Sequence, residues 1–208
     1  MKMKISTLAI ATAATAAILT GCFQIGPAYP ERDGRKYLES HGYSASFIEQ
    51  VIDGDKIEHS KVIELSKCKS ADVRFLVARN SNLTHEEIGI FIQDKNDFAR
   101  SGAACNTSLP TNQIDLLTDD PSHTVYCKLA GNTSLSESAL LRIHKKRNPG
   151  ILWFAMNPNC PDSIRKEIES SQDDLAKRWL DITDGWKKDG VYKQKDDGRW
   201  YKPLTRRE

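Results

Sequence analysis

The sequence predicts an all-α chain: a helical-repeat solenoid of about five two-helix units with a small C-terminal β-hairpin cap. Three observations carry this expectation. Asparagine recurs at Asn80, Asn106, Asn132 and Asn157, at spacings of 26, 26 and 25 residues. Alanine stands two residues before each one, at Ala78, Ala104, Ala130 and Ala155, and Leu83, Leu109, Leu135 and Cys160 stand three residues after. Apolar residues then follow at Ile88 and Phe91, Ile114 and Leu117, and Leu140 and Ile143, with a slip to Ile164 and Ile168 in the fourth unit. One period before Asn80 lies Gly54, followed by Ile57, Val62 and Leu65. A repeat of this length whose apolar residues lie three apart is one helical pair that needs neighbours to bury its inner face.

Within one unit, the first helix ends at the asparagine. Asn80, Asn106, Asn132 and Asn157 are therefore expected as helix C-caps in the left-handed conformation, which asparagine tolerates and glycine would tolerate equally well. The preceding alanine leaves room for the neighbouring unit. Thr84 and Glu87 form a capping-box pattern at the start of the second helix, and Pro110 and Pro161 suit a first helical turn. Asn82-Leu83-Thr84, Asn106-Thr107-Ser108 and Asn132-Thr133-Ser134 match the N-glycosylation pattern and are read as turn chemistry.

The first residues set the compartment. "MKMKISTLAIATAATAAILTGC" has a basic start and an apolar stretch from Ile5 to Leu19, too short to span a membrane, then small residues before a cysteine. Leu19-Thr20-Gly21-Cys22 resembles the lipobox of bacterial lipoproteins. The resemblance implies cleavage before Cys22 and acylation of its sulfur and new N-terminus, a firm anchor when several chains are attached. Phe23 in place of aspartate implies an outer-membrane protein facing the periplasm if the cell is Gram-negative. The expected organisation is a signal peptide over 1–21, a lipidated tether over 22–34, the solenoid over 35–183 and a basic aromatic hairpin and tail over 184–208.

Residues 1–21 carry two lysines and no acid, so the rest of the chain holds 28 basic and 28 acidic side chains. That balance gives no whole-protein attraction to nucleic acid, and none is expected as a partner. The expected partners are the membrane, through the anchor, and another protein.

"DVRFLVARNSNLTHEEI", Asp72 to Ile88, resembles the leucine-rich repeat variant family, with "ARS" and "VYC" standing at the later places of "DVR". The likeness spans roughly Ile48 to Ser170. It implies units of two short helices in a right-handed superhelix that offers an extended surface to a partner.

Cys68, Cys105, Cys127 and Cys160 form an even set of thiols in a compartment that permits disulfides. Cys127 and Cys160, in adjacent units near one edge, are the expected pair. No Cys-x-x-Cys pair, Gly-x-Ser-x-Gly elbow or phosphate-binding glycine loop occurs in the sequence. His41, His59, His85, His123 and His144 are scattered, and stacked helices would hold even the equivalent His59 and His85 about 10 Å apart. No metal or other cofactor and no catalytic residue is expected.

At the C-terminus "VYKQ" and "RWYK" flank Lys195 to Gly198. A four-residue loop would pair Tyr192 with Tyr201, and the hairpin is read as capping the open end of the solenoid. The functional expectation is a protein-interaction module, such as an immunity or assembly factor. The competing class is an envelope enzyme whose site assembles only in three dimensions.

Overall fold

A computed structural model describes residues 30–147 and 149–201. Among these residues it has twelve helices and one two-stranded sheet. The helices are α1 (Pro30–Ser40), α2 (Ala45–Asp53), α3 (His59–Ser66), α4 (Ala71–Ala78), α5 (His85–Ile92), α6 (Asp97–Ala104), α7 (Thr111–Thr118), α8 (His123–Ala130), α9 (Glu137–Arg147), α10 (Ile151–Ala155), α11 (Asp162–Ser170) and α12 (Asp174–Lys188). The strands are β1 (Lys193–Gln194) and β2 (Trp200–Tyr201). The fold is all-α and built of helical repeats, as the sequence predicts.

Two layers result. Helices α1, α4, α6, α8, α10 and α12 pack successively in one, while α3, α5, α7 and α9 stack in the other and α11 packs against α10 and α12. The core is the row of repeating apolar positions between them. Leu83, Leu109, Leu135, Ile88, Ile114, Leu140, Phe91, Leu117 and Ile143 are all buried, and the four alanines are fully so. The capping box at Thr84 and Glu87 forms in both directions.

Small residues let the first layer close up. A Cβ on Gly102 of α6 would lie 2.5 Å from the Phe75 carbonyl oxygen and 2.9 Å from the Phe75 Cα of α4, and one on Gly34 of α1 would lie 2.6 Å from Leu76 Cδ1. This packing draws α1 onto α4. Helix α1 begins at buried Pro30, so residues 30–34 belong to the fold, not to the tether expected over 22–34. Proline needs no donor at a helix start, and Glu31 and Asp33 suit the positive end of the helix dipole.

The asparagines do more than end helices, and the C-cap expectation needs correction. The C-cap residues of α4, α6, α8 and α10 are Arg79, Cys105, Gly131 and Met156, all in the right-handed region. Asn80, Asn106, Asn132 and Asn157 come one position later, essentially buried. Each Oδ1 accepts the backbone N–H two residues on, at Asn82, Ser108, Ser134 and Asn159, over 2.8–2.9 Å. Each Nδ2 reaches back one unit. Asn106 donates to the carbonyls of Ala78 (2.9 Å) and Asn80 (2.7 Å), Asn132 to those of Ala104 (2.9 Å) and Asn106 (2.8 Å), and Asn157 to those of Ala130 (2.8 Å) and Asn132 (3.0 Å). One amide thus fixes its own turn and satisfies a carbonyl left over at the end of the previous helix.

An arginine–aspartate brace runs parallel to this ladder. Arg74 binds Asp94 (2.6 and 3.2 Å) and the Cys68 carbonyl, and Arg100 binds Asp120 (2.6 and 3.0 Å) and the Asp94 carbonyl. Arg74 and Arg100 are 26 residues apart, so the equivalent of "DVR" in the next unit is Phe98-Ala99-Arg100, one residue from the "ARS" assignment.

Helix α12 starts separately from α11. Asp173 accepts from the Ala176 N–H and caps it after the break at Ser171, where sequence periodicity suggests one helix running to about Asp181.

Two stability outcomes follow from this packing. Asn106→Ala should lower unfolding stability by about 2–4 kcal/mol, the cost of losing the amide's bonds and leaving buried backbone groups unsatisfied. Asn106→Gly should behave like alanine, against the C-cap expectation, and Asn106→Asp should be worse, because a carboxylate would face two carbonyl oxygens. Urea unfolding of the three variants checks the order. Gly102→Ala should also destabilise, by about 1–3 kcal/mol, since overpacking against the α4 backbone outweighs the gain of about 1 kcal/mol in helix propensity; a higher melting temperature for this variant would refute the close approach.

Candidate functional site

The backbone of the corners forms one edge of the solenoid, and the C-terminal hairpin is docked on it. The second residue after each origin also bonds backward. Asn82 Nδ2 donates to the Gly54 carbonyl (2.9 Å), Ser108 Oγ to that of Ser81 (2.7 Å) and Asn159 Nδ2 to that of Thr133 (2.8 Å). At the last corner the same Asn159 amide pairs with the backbone of Trp200, donating to its carbonyl (2.9 Å) and accepting from its N–H (2.7 Å). Arg199 donates to the Ser134 carbonyl one unit earlier. The hairpin is thus held by two corners, a cap on the corner edge.

Its register is Lys193 with Tyr201 and Gln194 with Trp200. The loop is one residue longer than the expected pairing of Tyr192 with Tyr201 requires. Lys195 accepts from the Gly198 N–H, Gly198 takes a φ of 83°, and Lys195 N–H closes the loop on the Arg199 carbonyl. A turn followed by a left-handed glycine adds a residue in this way. Tyr192 is buried instead, with its ring 6.1 Å from Trp186.

Between the hairpin and the last unit lies an open cleft of about 770 Å³. Its walls carry Arg165, Lys187, Arg199 and Trp200 beside Glu137, Asp162 and Asp197. Opposite charges meet in it. Arg165 binds Asp184 (2.6 Å) and Arg199 binds Asp197 (2.6 Å). Burial tends to raise the Asp184 carboxyl, but Arg165 and Lys187 outweigh it and hold the group below its ordinary range. Burial lowers the Lys187 ammonium, which lies 5.5 Å from the Trp200 ring centre. The cleft is suited to holding a polar, uncharged or zwitterionic segment and has no strong field of one sign.

The cysteines do not pair as expected. Cys68, Cys127 and Cys160 are free thiols, so the Cys127–Cys160 disulfide does not form, whereas Cys105 is disulfide-bonded and not to any of these three. The register explains it. Cys127 sits in α8 with its Sγ 3.3 Å from His123 Nδ1 and 3.5 Å from the Pro149 carbonyl, whereas Cys160 takes the core leucine position of the other layer and faces the Pro161 carbonyl. Burial pushes both thiols up to about 12, and Cys68 is raised for the same reason. Thiols held protonated are poor nucleophiles.

His59 Nδ1 lies 2.8 Å from Glu87 Oε1, joining the two stacked first turns. Among the described residues there is no group of three or more His, Cys, Asp or Glu arranged to hold a metal ion. Cys22 lies outside the described residues. Sequence reading missed Asn159, whose bidentate contact with Trp200 depends on a residue 41 positions away and leaves no local signal.

No family model, curated protein or solved structure matches the chain.

Native-state alkylation at mildly alkaline pH should leave Cys127 and Cys160 unmodified and react with partly exposed Cys68 first. Mass spectrometry of the digested protein reads this out, and early labelling at Cys160 would contradict its burial.

Proposed function

We propose that the chain is a lipid-anchored protein of a bacterial cell envelope that works by binding another protein along its solenoid, as an immunity or assembly factor would. One observation carries the proposal: a division between repeating and varying positions. Those that repeat from unit to unit point inward and are used up by packing and the amide ladder. The exposed positions differ between units. Six residues after the origin stand Glu86, Asn112, Ser138 and, in the fourth unit, Ser163, and ten residues after stand Ile90, Leu116 and Arg142. A fixed scaffold with a varied surface is how repeat arrays present binding faces. The likeness of Asp72–Ile88 to leucine-rich repeat variant proteins agrees with this reading, and the cysteine chemistry, with thiols held protonated, favours it over an enzyme of the thiol class.

The anchor rests on Leu19-Thr20-Gly21-Cys22 and its basic, apolar leader. In cells fed a labelled fatty acid, Cys22→Ser should abolish incorporation and leave the leader uncleaved; persistent labelling would remove the lipoprotein reading. Capture of the tagged, detergent-extracted protein should enrich a specific envelope or secreted protein, and an eluate matching that of untagged cells would argue against a binding role.

A further inference from the structure

We propose that Asn82 is a docking point for the backbone of an extended, basic segment of another protein. The proposal rests on the binding role proposed above and names the part of the corner edge that carries it. At the last corner the structure shows how a passing chain is held: Asn159 Nδ2 donates to the Trp200 carbonyl (2.9 Å), and its Oδ1 accepts from the Trp200 N–H (2.7 Å). The N–H and C=O of one extended residue point the same way, and a neighbouring strand exchanges both bonds with them. An asparagine amide offers the matching donor and acceptor, so it holds a backbone whatever the side chain.

Asn82 stands at the same place in its own corner, two residues after Asn80 as Asn159 stands two after Asn157. The backbone is set alike, with the N–H of each bonded to the Oδ1 of the asparagine two residues before, over 2.9 Å. The side chain is set alike too. Asn82 Nδ2 donates to the Gly54 carbonyl (2.9 Å), as Asn159 Nδ2 does to that of Thr133 (2.8 Å), one corner back. Held in this way, each amide keeps its oxygen and a second N–H for a ligand. The hairpin takes both at Asn159, whereas Asn82 is exposed and neither group has a partner among the described residues. The two corners between carry Ser108 and Ser134, whose single side-chain oxygen cannot span the N–H and the carbonyl of one residue.

The sign of the charge follows from the same comparison. Arg199, the residue before Trp200, reaches one corner back to the Ser134 carbonyl. The equivalent carbonyl before Asn82 is that of Lys56, already taken by Gln50 Nε2. That corner carries exposed Asp55 and Glu58 against Lys56, and exposed Glu86 lies in the first turn of α5. A cation placed like Arg199 therefore meets carboxylates there. A second copy of this chain fits less well, because its Trp200 backbone is already held by its own Asn159.

The probe is a capped, dye-labelled peptide of residues 198–202, Gly-Arg-Trp-Tyr-Lys, added to the detergent-extracted full-length chain. Fluorescence anisotropy reads its affinity, and NMR of the isotope-labelled chain reads its place. The Asn82 side-chain amide resonances should shift and saturate while those of Asn159 stay. Asn82→Ser, which can keep a bond to the preceding corner as Ser108 does, should weaken binding roughly tenfold, a change of about 1.4 kcal/mol. An unchanged thermal melt verifies that the variant folds. Methylating the peptide's tryptophan nitrogen should abolish binding, and glutamate in place of its arginine should weaken it several-fold. Absence of saturable binding, indifference to any of these three changes, or shifts confined to Asn159 would each overturn the proposal. So would self-association of the chain that Asn82→Ser abolishes, which would give the place to a second copy. A captured partner that Asn82→Ser still retains would overturn this assignment and leave the binding role standing, whereas failed capture with intact peptide binding would remove that role and leave the docking point.

Discussion

A buried primary amide sets the period of this protein. A helix that stops after two turns leaves backbone carbonyls without partners, and a solenoid must stop a helix at every corner. The asparagine one residue past each end resolves this with a side chain that can donate twice and accept at the same time. Its acceptor oxygen shapes the turn to which it belongs, while its nitrogen reaches the Ala and Asn carbonyls of the unit before. Because those two carbonyls are themselves placed by the previous asparagine, each rung depends on the last. The alanine belongs to the same constraint: a larger side chain at Ala78 or Ala104 would hold the helices too far apart for a short amide to bridge them.

The ends of the array show what happens when the constraint is released. At the first corner Gly54 replaces asparagine with a φ of 75° and terminates α2 by conformation alone. Its carbonyls still need donors, and three side chains of the following corner share the work. Asn80 takes the Asp55 carbonyl, Asn82 that of Gly54, and buried Arg79 that of Ile52 while also pairing with Glu31. At the other end Thr183 stands one period after Asn157. Its hydroxyl satisfies the Ala155 carbonyl, but a threonine inside a helix cannot form the turn, and α12 runs on to Lys188. The corner that would have followed is absent, and the hairpin backbone occupies Asn159 in its place.

The repeat, the two-helix unit and the inward apolar rows were legible because they recur, and recurrence separates a structural demand from accident. The chemical role of the asparagines was not. A left-handed C-cap and a ladder rung place the same residue at nearly the same position, and only the location of the preceding unit's carbonyls, 26 to 28 residues back, tells them apart. The cysteines failed for a related reason: nearness in repeat register is not nearness in space when one thiol lies in each layer. Pro30–Gly34 read as tether because a proline and a glycine four residues apart resemble a linker, yet here the proline starts α1 and the glycine lets that helix approach Leu76. The break before α12 was hidden within an unbroken helical periodicity, although Ser171 and Asp173 are both capable caps.

Function is less legible for a physical reason that the fold itself supplies. The ladder and core use up the positions that repeat, so repetition reports on the scaffold, whereas the surface that meets a partner consists of positions that do not repeat. The exposed apolar residues make this concrete. Ile90 and Leu116 occupy equivalent places in neighbouring units, but the third unit puts Arg142 there and moves its apolar residue to Leu141. No demand of stacking produces that row, and no pattern in the chain explains it.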